Sequence, residues 1–294
     1  MKLAGVKRLG SSMLRSIWFF GVFLLACLAW LPKALTLRHP LGDQVAEKIY
    51  DLTLSCQSGF FLGWTPEVPL SSPTASPALF VPLLSGQFLK LIVCQIAIYY
   101  HVSPLVVYLL LGQLLAYSLT FLALRWANFT FFSCVLGGFL IVTAPSSFSR
   151  IGHLTLAFLA PVVPTIVASS KLIDSCSCRG EPQSLCKVWI FGIIAALLCL
   201  PLHEYYLVFS VLILFASFLL AVIVSTSAGI ELFGLAYSLK RGLLFLTGYM
   251  SVVIILALPK LAVAGAQPFP VQWSTPRYVS EQFQYGLLPF TWFV

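Results

Sequence analysis

Long apolar runs separated by short polar stretches organise this chain. Runs near the ~17–25 residues that carry a helix across a bilayer fall at 16–35, 105–124, 129–145, 154–170, 188–202, 205–226 and 242–259. Pro161, Pro164 and Pro201 punctuate them. Membrane helices tolerate proline where neighbours re-satisfy the freed carbonyls, and the shorter runs can cross with local thinning or help from flanking residues. A further run, 79–99 (LFVPLLSGQFLKLIVCQIAIY), is apolar and long enough to cross, yet contains Ser85, Gly86, Gln87, Lys90 and Gln95. The pattern predicts an all-α fold: a polytopic transmembrane helix bundle of about seven to eight spans. It forms one domain over residues 1–294. Its long first outer loop (36–104) carries short amphipathic helices, the bundle occupies 105–259, and 260–294 form an outer C-terminal segment.

Composition agrees with the pattern. The chain is 60% apolar and 9% charged, against roughly 25% charged residues in a soluble domain. The net charge of +8 does not indicate nucleic acid, because the basic residues are scattered between apolar runs and form no continuous patch. Lys2, Lys7, Arg8 and Arg15 precede or open the first run. That run continues past Cys27 with no small polar mature start, so it reads as an uncleaved first span rather than a signal peptide.

Charge also predicts orientation. If 79–99 does not fully cross, the N-terminus, Arg125, the Lys171/Arg179/Lys187 group and Lys240/Arg241 share the cytoplasmic side. That makes ten basic residues, while Arg150, Lys260 and Arg277 are the three in the later outer loops. If 79–99 crosses, the split becomes seven inside and six outside. The positive-inside rule favours the first arrangement, with the N-terminus cytoplasmic and 79–99 lying along the interface or dipping in and returning. Lys90 then reads as an interfacial anchor in preference to a phosphate contact. The sequon Asn128-Phe129-Thr130 falls at the cytoplasmic edge in this arrangement and is discounted.

Four polar stretches meet on the outer face of that arrangement: RHPLGDQVAEKIYDL (38–52), the segment of Ser149, Arg150 and His153, the turn PLHEYY (201–206), and TPRYVSEQFQYG (275–286). Carboxylates, arginines and histidines at one membrane face suit chemistry on a lipid phosphate. A carboxylate, Asp43 or Glu204, can act as base on an acceptor hydroxyl. Arg150 and His153 can bind the phosphate and stabilise charge on the leaving group. His203, Arg277 and Glu281 complete the candidate substrate contacts. Each has a plainer reading. Asp43 can cap the amphipathic helix that follows it, Arg150 can snorkel as an anchor, and Arg277 and Glu281 can pair four residues apart.

Cys27, Cys94, Cys134 and Cys199 sit in apolar runs and read as small hydrophobes. Cys176, Cys178 and Cys186 fit no strong zinc spacing, so no metal-binding residues are assigned, and the cofactor, a divalent metal included, stays open. No phosphate loop, HExxH or GxSxG motif occurs.

In order along the chain, GDQ (42–44) soon after the first span, SRIGHLTL (149–156), YYLVFSVLIL (205–214) and PRYVSEQFQYGLLP (276–289) resemble membrane glycosyltransferases of the GT-C fold, specifically large bacterial multi-spanning members. The resemblance implies a polyprenyl-phosphate-linked sugar as donor, a glycan or lipid acceptor, an extracytoplasmic site in the bacterial inner membrane, and Asp43 as the acidic residue of the first loop. It also implies that the chain, ending at LLPFTWFV, is an N-terminal fragment. The competing expectations are a transporter or lipid-sugar flippase and a non-catalytic scaffold. Charge-poor mid-span regions disfavour transport, whose sites lie near the bilayer midplane.

Overall fold

The computed structural model describes residues 14–28, 56, 83–144, 159–176, 184–200, 204–227 and 232–266. Apart from Cys56, these form eight helices and their flanks. They are α1 (Leu14–Leu28), α2 (Leu84–Tyr100), α3 (Pro104–Trp126), α4 (Phe131–Val142), α5 (Val162–Cys176), α6 (Leu185–Leu198), α7 (Glu204–Ser227) and α8 (Leu232–Ala266). No strand occurs among the described residues. Three stretches are long and apolar enough to cross a membrane: Pro104–Trp126, Tyr206–Val224 and Leu235–Pro259. The described residues are thus all helical, and these three helices mark a membrane protein.

Local chemistry sets the helix ends. Pro104 occupies the first turn of α3, where its missing N–H costs nothing. The Thr130 hydroxyl accepts from Ser133 N–H at 3.3 Å to open α4, and the Ser184 hydroxyl accepts from Lys187 N–H at 3.3 Å to open α6, both as N-caps. His101 closes α2 in the left-handed region at φ 54°. Between α3 and α4, Asn128 turns the chain at φ 66°, and Arg125 Nη1 donates to the Phe129 carbonyl at 2.8 Å.

One element differs from the sequence expectation. Within the run 154–170, the described residues are helical from Val162, after the turn at Ala160–Pro161. Pro164 then lies in its first turn, where it breaks no helical bond. At the other end of the chain, α8 starts at Leu232, ten residues before the expected 242, and continues through Pro259 to Ala266. At 1.5 Å per residue it is about 52 Å long, well beyond a ~30 Å hydrocarbon core. Lys240 and Arg241, counted above as a loop pair, therefore sit within the helix. Arg241 is buried, with Nη1 donating to the Tyr237 hydroxyl at 3.1 Å.

Side-chain pairings fix the helix directions. Arg15 lies over Phe131, Phe19 packs on Tyr117 and Phe121, and Phe23 packs on Tyr117. As numbers rise along α1 they fall along α3, so the two are antiparallel. Gly137 and Gly138 of α4 press on Leu124 and Tyr117. Lys171 of α5 lies over Trp126, and Ser238 of α8 donates to the Cys176 carbonyl at 2.6 Å. One face of the bundle, here the proximal face, thus holds the start of α1 and the α3–α4 turn, together with the end of α5 and the start of α8. The opposite, distal face holds the end of α1, the α2–α3 connection, the end of α4, the start of α5, the end of α6 and the start of α7.

The α6–α8 crossing is close because glycines face backbone there. A Cβ on Gly192 would collide with the Phe245 carbonyl, and one on Gly248 would collide with the Trp189 carbonyl. Small residues allow such approach where no hydrophobic force between helices drives association in lipid.

Candidate functional site

The helix directions define where the candidate stretches attach. The segment holding Asp43 leaves the distal end of α1, and the segment holding Arg150 and His153 joins the distal ends of α4 and α5. His203 lies between the distal ends of α6 and α7, and the segment holding Arg277 and Glu281 follows the C-terminal end of α8. Asp43, Arg150, His153, His203, Arg277 and Glu281 all lie outside the described residues. Glu204 is the first residue of α7. The structure brings together the points of attachment; the candidate side chains themselves are not described.

Near the start of α7 lies a buried polar cluster that the sequence alone did not reveal. Thr165 of α5 and Ser210 of α7 share a hydroxyl hydrogen bond of 2.8 Å. Thr165 also donates to the Pro161 carbonyl at 2.6 Å and approaches Cys199 Sγ at 3.5 Å. Tyr249 of α8 lies beside both Ser210 and Cys199. Ser210 stands six residues after Glu204, about 9 Å along the helix at 1.5 Å per residue. The signal in the sequence was single hydroxyls inside apolar runs, such as Ser210 in YYLVFSVLIL. The hydroxyls of Thr165 and Ser210 are neutral, so the cluster ties the distal parts of α5 and α7 together and supplies no base.

A second buried polar set lies on α2. Ser85, Gln87 and Lys90 face inward, with Lys90 only 4% exposed, whereas Phe88, Ile92 and Ile98 face outward. Lys90, read from the sequence as an interfacial anchor, is enclosed by the bundle. On α3, Gln113 is 2% exposed, and neither of its amide atoms has a hydrogen-bond partner.

Cys56 and Cys94 form a disulfide with Cα atoms 4.9 Å apart. Cys94 is therefore not the small hydrophobe its apolar run suggested; position in a run does not reveal a partner 38 residues away. The bond ties the segment that also carries Asp43 to α2. Of the cysteine-rich loop, Cys176 is buried at the end of α5 and Cys186 is exposed. Among the described residues no three His, Cys, Asp or Glu side chains gather as a metal site. No family model, curated protein or solved structure matches this chain.

Proposed function

We propose that the protein is a membrane glycosyltransferase of the GT-C type that moves a sugar from a polyprenyl-phosphate donor to an extracytoplasmic glycan or lipid acceptor. One observation carries the reading: the helix directions gather the attachments of the ionisable segments of the first, second and third distal loops on one face. In this reading the shorter helices complete a bundle of seven or eight spans in the bacterial inner membrane. The N-terminus is cytoplasmic and the distal face is external. The Cys56–Cys94 disulfide supports that orientation, because such bonds persist on the oxidising side of a membrane.

The chemistry follows from the residue types. Asp43 or Glu204 takes the proton of the acceptor hydroxyl. The acceptor oxygen forms a bond to the anomeric carbon as the bond to the phosphate oxygen breaks. Arg150 and His153 hold the departing phosphate, and cationic donors there stabilise its growing charge. His203, Arg277 and Glu281 orient the sugar and acceptor.

The test uses the purified chain in proteoliposomes with tritiated glucose, mannose or galactose on polyprenyl monophosphate, and cell-envelope membranes as acceptor. Transfer of label out of the lipid fraction by wild type, and its loss in Asp43→Asn at equal protein abundance, is the expected result. Wild-type transfer by Asp43→Asn removes Asp43 as base, and absence of transfer with every donor removes the reading. The enclosed Lys90 and Gln113 favour a second reading, transport or flipping of a polar headgroup through the bundle. Movement of the same labelled lipids between leaflets without sugar transfer would establish it.

A further inference from the structure

At the proximal face, the ends of α3 and α5 meet the start of α6 around two aromatic rings. Trp126, the last residue of α3, and Phe191 of α6 pack edge to face with centroids 5.8 Å apart. Lys171 Nζ of α5 lies 5.9 Å from the centre of the Trp126 ring, and Lys187 Nζ of α6 lies 5.7 Å from that of Phe191. Each ring of the pair thus holds one lysine, and three helices contribute to one platform. A ring face attracts a cation without neutralising it, so both ammoniums keep their charge.

The surroundings leave that charge to be met from outside. Among the described residues, the proximal face carries Arg15, Arg125, Lys171, Lys187 and Lys240 against one carboxylate, Asp174. Lys187 also stands in the first turn of α6, which holds no acidic residue. A cation there opposes the helix dipole, and an anion beside it would offset that cost. Apolar surface lies on the membrane side of the platform. Leu122, one turn before Trp126 on α3, and Ile190, in the turn after Lys187 on α6, are 49% and 42% exposed. Because α3 runs toward the proximal face and α6 away from it, both residues sit deeper in the bilayer than the lysines. Cations at the edge above an exposed apolar surface match a lipid, with its charged head above its chains. A soluble anion would use the cations alone.

We propose that Lys171 and Lys187, held on Trp126 and Phe191, form a headgroup site for an anionic phospholipid in the leaflet at the proximal face. Basic sites between membrane helices on the cytoplasmic side hold such headgroups. The site does not depend on sugar transfer, which the account puts at the opposite face.

A lipid that binds the folded state stabilises it by mass action, so unfolding of the purified full chain in a neutral detergent reads occupancy. The probes are phosphatidylglycerol, phosphatidylcholine with the same acyl chains, and inorganic phosphate. Phosphatidylglycerol should raise the unfolding midpoint, and the other two should not. Lys171→Gln and Lys187→Gln should each require about fivefold more phosphatidylglycerol for the same rise, the size expected for one basic residue at a lipid surface. Lys187→Arg should keep the wild-type response. Arg15→Gln removes a cation of the same face that lies over Phe131, away from the platform, and should lose less than either lysine variant. Lys187 is exposed, so its variants decide if Lys171→Gln does not fold. No response to phosphatidylglycerol, or an equal response to phosphatidylcholine, overturns the site. A loss in Arg15→Gln as large as in the lysine variants would show diffuse attraction to the whole face and also overturn it. An equal response to inorganic phosphate would make the ligand a soluble anion and overturn the lipid assignment.

Discussion

Removing the Cys56–Cys94 bond should destabilise the protein and release the first distal segment. The bond closes a loop across a sequence separation of 38. Loop-closure entropy for that length gives about 4 kcal/mol at 25 °C, within the ~2–4 kcal/mol typical of native disulfides. The measurement has two parts. Cells are lysed into maleimide–polyethylene glycol with and without prior reduction, and the mobility shift counts the free thiols. Unfolding of wild type, Cys56→Ser and the Cys56→Ser/Cys94→Ser double variant is then compared in one detergent. Two cysteines should react only after reduction, and both variants should lose about 2–4 kcal/mol by similar amounts, because either change opens the same loop. Immediate labelling of Cys56 and Cys94 in unreduced lysate would refute the bond and, with it, this support for an external distal face. Wild-type stability in both variants would show that the loop is already ordered without it.

Gly192→Leu should separate α6 from α8, since even a Cβ there meets the Phe245 carbonyl; a loss of about 1–3 kcal/mol is expected from overpacking, read as a lowered unfolding midpoint, and Gly21→Leu, which meets nothing within 4 Å, is the control. In the polar cluster, Ser210→Ala removes one partner of the Thr165 hydroxyl, which keeps its Pro161 bond, so its cost should be near the ~0.6 kcal/mol average for hydrogen bonds between membrane helices. A double-mutant cycle with Thr165→Val measures the coupling; a coupling of zero would remove the Thr165–Ser210 bond from the account. Gln113→Leu removes two buried amide atoms that lack partners; stability should be unchanged or higher, and a large loss would show that the amide is satisfied.

The helices were legible where apolar length and punctuation coincide. Pro104 and the Thr130 and Ser184 caps mark starts that the hydrophobic pattern had located within a few residues. The pattern failed where a helix continued past its apolar part. Lys240 and Arg241 looked like a loop because charges end an apolar run, yet Arg241 finds Tyr237 one turn earlier and stays helical. The inward face of α2 was also illegible. A Gln or Lys in an apolar helix shows no direction until its neighbours are known. Pairing was harder still: nothing local to Cys94 names Cys56, and nothing local to Thr165 names Ser210. The candidate residues Asp43, Arg150 and His153 were chosen from residue chemistry and charge bias, and the helix directions bear only on where their segments attach.

The claim that organises all of this is that those segments share the external face. It is tested by accessibility of single cysteines in a background that keeps Cys56 and Cys94 and replaces the other cysteines with serine. Reporters are placed one at a time within 60–75, 146–152 and 177–183, and intact cells are treated with a membrane-impermeant maleimide. Reporters in 60–75 and 146–152 should label in intact cells, and reporters in 177–183 only after permeabilisation. Protection of 146–152 in intact cells, with labelling after permeabilisation, would place Arg150 and His153 on the cytoplasmic side and contradict the shared face.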